Sequence, residues 1–351
     1  MRKLFVCIAL GLTTLTGNAA SPLWMRDVQI SPDGTEIAFC YKGDIYKVSA
    51  GGGTAIQLTT QPSYECTPIW SPDSKQIAFA SDRNGNFDIF VMPATGGTAQ
   101  RLTTHSSSEL PSTFTPDGKY ILFSASIQDP SQSALFPTTA MTELYKVPVN
   151  GGRTEQVLGT PAEAVCYAPS GEFLLYQDRK GFEDEWRKHH TSSITRDIWL
   201  YDTKTGKHTN LTNHAGEDRN PVLSPDGKSV YLLSERKGSF NVYSFPLDNA
   251  QDLKAVTSFK THPVRFLSMS HGGTLCYAYD GEIYTQKDNA TPQKINIDIV
   301  RDDQDKIADL TFTNGATSGT VSPDGKQIAF IVRGEVFVTS TDYATTKQIT
   351  H

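Results

Sequence analysis

At 351 residues the chain is longer than one ordinary domain and suits an array of small units. Its 38 acidic and 32 basic side chains leave a formal charge of −6, which disfavours nucleic acid or an anionic membrane as a partner. No stretch beyond the N-terminal region is long and apolar enough to cross a bilayer, so no membrane span is expected.

The first element is a leader. Arg2 and Lys3 supply a positive region, residues 4–12 (LFVCIALGL) an apolar core, and residues 17–20 (GNAA) a small-residue cleavage region. A signal peptide over 1–20 therefore predicts a periplasmic or secreted protein. A buried strand is the competing reading, and the placement at residue one disfavours it. Cys7 lies in the apolar core, with no lipid-attachment pattern around the cleavage region. Loss of Arg2 and Lys3 takes the formal charge from −6 to −8.

Thereafter one four-residue turn recurs, in its cleanest form Ser-Pro-Asp-Gly. Copies start at Ser31, Ser71, Thr115, Ala168, Ser224, Ser270 and Ser322, at intervals of 40 to 56 residues. Proline fixes φ at the first corner, aspartate bonds its own downstream backbone, and glycine accepts φ > 0. Short apolar runs follow six of the copies: IAF at 37–39 and 77–79, ILF at 121–123, FLL at 173–175, VYL at 230–232 and IAF at 328–330. In the second copy, residues 67–70, 76–80, 87–92 and 100–103 predict four antiparallel strands, with Gly96 and Gly97 as a hairpin turn. The third and fourth strands recur as DIY 44–46 with QLT 57–59, ELY 143–145 with QVL 156–158, and DIW 197–199 with NLT 210–212.

A four-stranded sheet of this size cannot bury both faces alone, and radial stacking lets each sheet cover its neighbour. The expected fold is an all-β propeller of four-stranded antiparallel blades. A β-sandwich also has short strands and regular turns, but gives no reason to repeat one turn at a blade-length period. Residues 24–30 precede the first turn as a first strand of their own. Every blade is then contiguous, no strand swap locks the ring, and closure is expected to rest on face packing alone.

Two blades carry insertions between their second and third strands. Residues 126–140 are polar and contain no Lys or Arg. Residues 179–196 read RKGFEDEWRKHHTSSITR. This second insertion is the candidate contact loop for a peptide or another domain, through Arg179, Lys180, Trp186, Arg187, Lys188, His189 and His190. The competing reading is a solvated loop with Trp186 packed on its own blade. Adjacent His189 and His190 point to opposite sides of a strand and make a poor metal site. Asp184, Glu185, Arg187 and Lys188 alternate in sign, and exposed pairs of that kind contribute little.

Catalytic motifs are absent. There is no G-x-S-x-G, H-E-x-x-H or Gly-rich phosphate loop, and no catalytic residue, metal or cofactor is expected. Ser234 and Lys237 fit S-x-x-K by chance, at the point where a blade turns from its second strand to its third. Cys40, Cys66, Cys166 and Cys276 lie in or beside predicted strands and read as small buried residues, with disulfides as the alternative permitted by export. A hydrolytic site in the central channel needs carboxylates, tyrosines or arginines converging from several blades, and no such pattern stands out.

The repeats resemble the TolB-type, WD-like propeller repeat. Longer stretches resemble the N-terminal region of tricorn-type proteases: EDEWRKHHTSS 183–193, RDIWLY 196–201, LTNHAGEDRNP 211–221, SERKGSFNV 234–242, HPVRFL 262–267, YDGEIY 279–284 and VRGEVFV 332–338. That resemblance implies a six-bladed propeller followed by a seven-bladed one, then PDZ-like and serine-protease domains that this chain lacks. It divides the chain into the signal peptide, a six-bladed propeller at 22–297, a linker at 298–306 and the first blade of a second propeller at 307–351. The function it implies is gating or channelling of peptides and unfolded segments for an exported serine protease, with the chain inert alone and homo-oligomers possible. The alternative is a stand-alone TolB-like periplasmic scaffold, which needs all seven units in one closed ring.

Overall fold

The structure, a computed structural model, describes residues 22–127, 141–181, 183–190, 192–287, 290–300 and 314–350. The expected leader, most of the 126–140 insertion and most of the expected linker lie outside these residues. The described residues form seven four-stranded antiparallel sheets, each with its strands in chain order, and no helix. Blade 2 shows the pattern: Glu65–Trp70, Gln76–Ser81, Asp88–Pro93 and Gln100–Arg101.

The turn works through its first residue as well as its third. In blades 1, 2, 3 and 5 and in the seventh sheet, the Ser or Thr hydroxyl donates to the aspartate two residues on at 2.6 Å. The same hydroxyl accepts from the amide that opens the second strand, at 2.9–3.1 Å. Blade 2 ends its turn in Ser74 rather than glycine and holds it at φ 60°.

The apolar runs follow from period-2 alternation along the second strand. In blade 2, Ile77 and Phe79 face blade 1 and meet Ala38, Cys40 and Ile45. Ala78 points the other way, to Ile121 and Phe123 of blade 3. A bulky face thus packs on a small-residue face, and the wedges fit around an axis. Six apolar clusters occupy six junctions, including one between blade 6 and blade 1. The first strands neighbour one another around the whole ring and line the axis. The seventh sheet repeats the pattern, stacking Phe330 on Phe337 at 5.8 Å, yet leaves its own first strand, Ala316–Val321, exposed throughout.

Threonine closes the outer edge. Thr59, Thr103, Thr212 and Thr257 accept from the amides of Ile45, Ile89, Ile198 and Val242 at 2.8–2.9 Å. This explains the recurring threonine after the fourth strand, which the sequence reading counted as strand in blades 1, 2 and 4.

Closure corrects one expectation. Each blade does own four strands in chain order, but face packing is not the whole lock. Ile297–Asp298 pairs in parallel with Gly53–Thr54 of blade 1. The Gly53 amide donates to the Asn296 carbonyl at 2.9 Å and the Ala55 amide to Asp298 at 2.8 Å. Gly52 sits at φ 90°, and a Cβ there would lie 2.6 Å from the Asn296 carbonyl oxygen, so only glycine lets the two segments meet.

Candidate functional site

The innermost strands carry a bulge near their start, and five of them place a non-glycine residue at φ > 0: Asp27, Thr67, Ala164, Asn220 and Phe266. Asp and Asn tolerate that region because their short polar side chains bond locally. Here they bond the next blade. Asp27 accepts from the Thr67 amide at 3.2 Å. Asn220 accepts from the Leu267 amide at 3.0 Å and donates to the Leu267 carbonyl at 3.2 Å. Burial pushes the Asp27 carboxyl above its ordinary range, and the Thr67 amide opposes that shift.

One position before the bulge, five residues ahead of the turn, stand Arg26, Arg219 and Arg265 of blades 1, 5 and 6. They meet the blade-4 insertion. Arg265 donates from Nη1 to the Glu185 carbonyl at 2.6 Å, and from Nη2 to the carbonyls of Trp186 and Arg187 at 2.9 and 3.1 Å. Arg219 reaches the Glu185 carbonyl at 3.4 Å. Trp186 lies between two guanidinium groups, Arg26 at 4.9 Å and Arg265 at 5.1 Å from its ring centre, with its edge toward Phe266 at 6.0 Å. A segment rooted in blade 4 therefore reaches blades 5, 6 and 1 across the axial mouth. Trp186 stays 49% exposed, so part of its indole remains open to solvent there.

Arg187 anchors this segment from below. Its Nη2 meets Glu217 Oε2 at 2.6 Å and its Nη1 meets Glu235 Oε2 at 2.5 Å, with the His190 carbonyl also at 2.5 Å. Glu235 Oε1 in turn accepts from the Glu217 amide at 2.8 Å. Burial works against the Arg187 charge, but the Glu235 and Glu217 carboxylates outweigh it and hold the guanidinium above its ordinary value. Arg196 adds a bond to Glu217 Oε1 at 2.8 Å and one to Glu185 at 3.3 Å. Arg265 has carbonyls rather than carboxylates as partners. Burial, helped by the Arg219 charge, brings it down to about 10.

The candidate loop residues divide by role. Arg187 is buried and fully engaged in anchoring. Arg179 pairs with Glu163 at 2.8 Å and Lys180 with Asp197 at 2.5 Å, both at the root of the insertion. Lys188 Nζ lies 3.2 Å from His262 Nδ1, and His262 Nε2 faces Asp280 at 3.2 Å. His189 Nδ1 lies 3.2 Å from the Gly238 carbonyl. His190 is exposed. Among the described residues no three His, Cys, Asp or Glu side chains gather as a metal site.

The S-x-x-K motif pairs a buried serine, Ser234, with an exposed lysine, Lys237. Ser234 is buried in the ladder opposite Asp218, and Arg236 pairs with Asp218 at 2.6 Å. Among the described residues the four cysteines are free, with Cys40 and Cys276 buried and Cys66 and Cys166 half-buried. Burial pushes their thiols up, Cys166 to about 11.

Sequence reasoning missed the three arginines. The signal was present: aligning the copies on their turns puts all three in one register, on one half of the ring, while Cys66 and Leu110 occupy that register in blades 2 and 3.

Residues 22–292 match the family model described as the tricorn protease N-terminal beta propeller domain. The chain belongs to that family. A tricorn protease homolog of Saccharolobus solfataricus is 27% identical over 210 residues, covering 58% of this chain and 18% of the homolog. An uncharacterized protein of Agrobacterium fabrum, Atu1656, is 31% identical over 194 residues, covering 54% of this chain and 61% of its own length. The crystal structure of the tricorn protease superposes with a TM-score of 0.66 at 22% identity, covering 93% of this chain and 31% of that one. The tricorn-type propeller described here thus spans less than two thirds of each of these relatives. No helix among its described residues is long and apolar enough to cross a membrane.

Proposed function

We propose that this tricorn-type propeller handles peptides for an exported serine protease, gating their passage along its axis, and is inert toward peptide bonds by itself. The observation that carries the reading is the blade-4 insertion laid over the axial mouth, with Trp186 held between Arg26 and Arg265 and half-open to solvent. A half-exposed indole flanked by guanidinium groups suits extended chains of varied sequence, because apolar and charge contacts do not require one particular side chain. A rigid ring with a narrow axis excludes folded proteins by size. Family membership and the leader expected over residues 1–20 support the protease context and export.

The stand-alone TolB-like scaffold required all seven units in one ring. Six sheets close the ring here, and the strands of the seventh pair only with one another.

Fluorescence anisotropy with labelled unstructured peptides tests the proposal. Binding is expected, weakened several-fold by Trp186→Ala without a change in melting temperature. Equal binding by that variant, or equally tight binding of a compact globular protein, would count against it. Peptide hydrolysis that persists through clean-up and protease inhibitors would contradict inertness.

A further inference from the structure

Three blades place an acid at or just before the first residue of their innermost strand, six residues ahead of the turn: Glu65, Glu109 and Asp218. All three are buried, Glu109 to 1% exposure. In blades 2 and 5 the acid has the same two companions. A serine stands opposite it in the ladder, Ser81 for Glu65 and Ser234 for Asp218. An arginine follows two residues after that serine and closes an ion pair, Arg83 at 3.2 Å and Arg236 at 2.6 Å. Blade 3 places Ala125 and Ile127 at these two positions. Ala125 is buried in the apolar junction, and Ile127 packs against it.

Glu109 is left with the Thr103 hydroxyl for one oxygen, while its Oε2 has no partner. From blade 2 it faces Asp88, also fully buried, and Arg101. Arg101 is engaged elsewhere, by Asp88 at 2.7 Å and by the Thr103 carbonyl at 2.9 Å. On the blade-3 side Glu143 stands opposite Ala125 in the ladder and accepts from the Ile127 amide at 3.3 Å. His105, in the connection between the blades, accepts from the Ser107 amide through Nδ1 at 3.0 Å. One arginine thus serves two buried carboxylates, Asp88 and Glu109. Burial, with the Asp88 charge adding to it, raises the Glu109 carboxyl to about 7, and Asp88 is raised by burial as well.

We propose that Glu109 makes the junction of blades 2 and 3 a pH-sensitive seam, closed while the acid is protonated and loosened when it ionises without a cation to receive the charge. The loosening extends to the root of the blade-3 insertion, because the Ser107 hydroxyl from the same connection donates to the Ser126 carbonyl at 2.5 Å. The sign follows from linkage. A carboxyl raised on folding contributes stability that is whole below its ordinary value of 4.5, declines as pH rises toward about 7, and is lost above that.

Thermal unfolding of the full chain and of Glu109→Gln between pH 5 and 8 tests this, with hydrogen exchange of residues 102–114 as a second readout. Glutamine keeps the shape and the neutral state. The variant is expected to melt with wild type at pH 5 and a few degrees above it at pH 8, and to protect residues 102–114 better at pH 8. The pair Ala125→Ser and Ile127→Arg restores the companions of blades 2 and 5, and is expected to flatten the same pH dependence by letting Glu109 ionise. A gap between wild type and Glu109→Gln that stays constant from pH 5 to 8, or a restored pair that melts with the wild-type pH profile, would overturn the proposal.

Discussion

The junction of blades 4 and 5 and the junction of blades 2 and 3 both bury carboxylates at the same end of the ring, and they treat the charge in opposite ways. Between blades 4 and 5, Glu217 and Glu235 meet Arg187 and Arg196, and the arginine that binds both acids is delivered by an insertion from a neighbouring blade. Between blades 2 and 3, Glu109 and Asp88 share Arg101 alone, and the insertion nearby carries no Lys or Arg. The first junction uses its charge to fix a segment across the axis. The second holds an acid whose protonation decides how well the junction closes. One repeat scaffold thus supports a fixed element and a titratable one, because the side chains at a few equivalent positions differ.

The largest expected effect comes from breaking the fixed side. Arg187→Met leaves Glu217 and Glu235 buried without their cation, and should cost roughly 3–5 kcal/mol in urea unfolding. Adding Glu217→Gln and Glu235→Gln to that variant should recover most of the loss, because the unpaired charge rather than the missing contact dominates. Next comes Arg265→Gln, which removes the donors to the carbonyls of residues 185–187. It should cost about 1–3 kcal/mol at most and release the insertion, seen as faster proteolysis within residues 183–190 while the ring stays folded. A smaller loss, about 1–2 kcal/mol, is expected for Phe240→Leu, which removes the ring beneath Arg219 at 4.0 Å and Arg187 at 5.2 Å but keeps an apolar side chain. The control is Lys204→Ala. Its pair with Glu172 at 2.6 Å lies on the surface, and the unfolding midpoint should not move.

The fold was legible in the sequence because one turn marks every blade. Ser-Pro-Asp-Gly fixes where a first strand ends and a second begins, and IAF-type runs tell which side of the strand is bulky. Closure was less legible. The parallel clasp uses two residues from each end, Ile297–Asp298 and Gly53–Thr54, and has no periodic pattern. The site was legible by half. The insertion stood out by its charge, but Arg187 read as an exposed contact because its partners Glu217 and Glu235 lie 30 and 48 residues away in another blade. Arg26, Arg219 and Arg265 were hidden for a related reason. Residues hundreds of positions apart converge only when strands are placed about an axis, and the shared register becomes visible once the copies are aligned on their turns.

The most direct measurement is a cross-link across the axis. In a chain with its five native cysteines replaced by alanine, Arg26→Cys in blade 1 and Trp186→Cys in the blade-4 insertion are treated with a short bifunctional maleimide. An insertion laid over the mouth predicts an efficient intramolecular link, joining peptides that contain residues 26 and 186. No link between those positions, together with efficient linking of Trp186→Cys to Lys207→Cys near the outer strand of its own blade, would contradict the account.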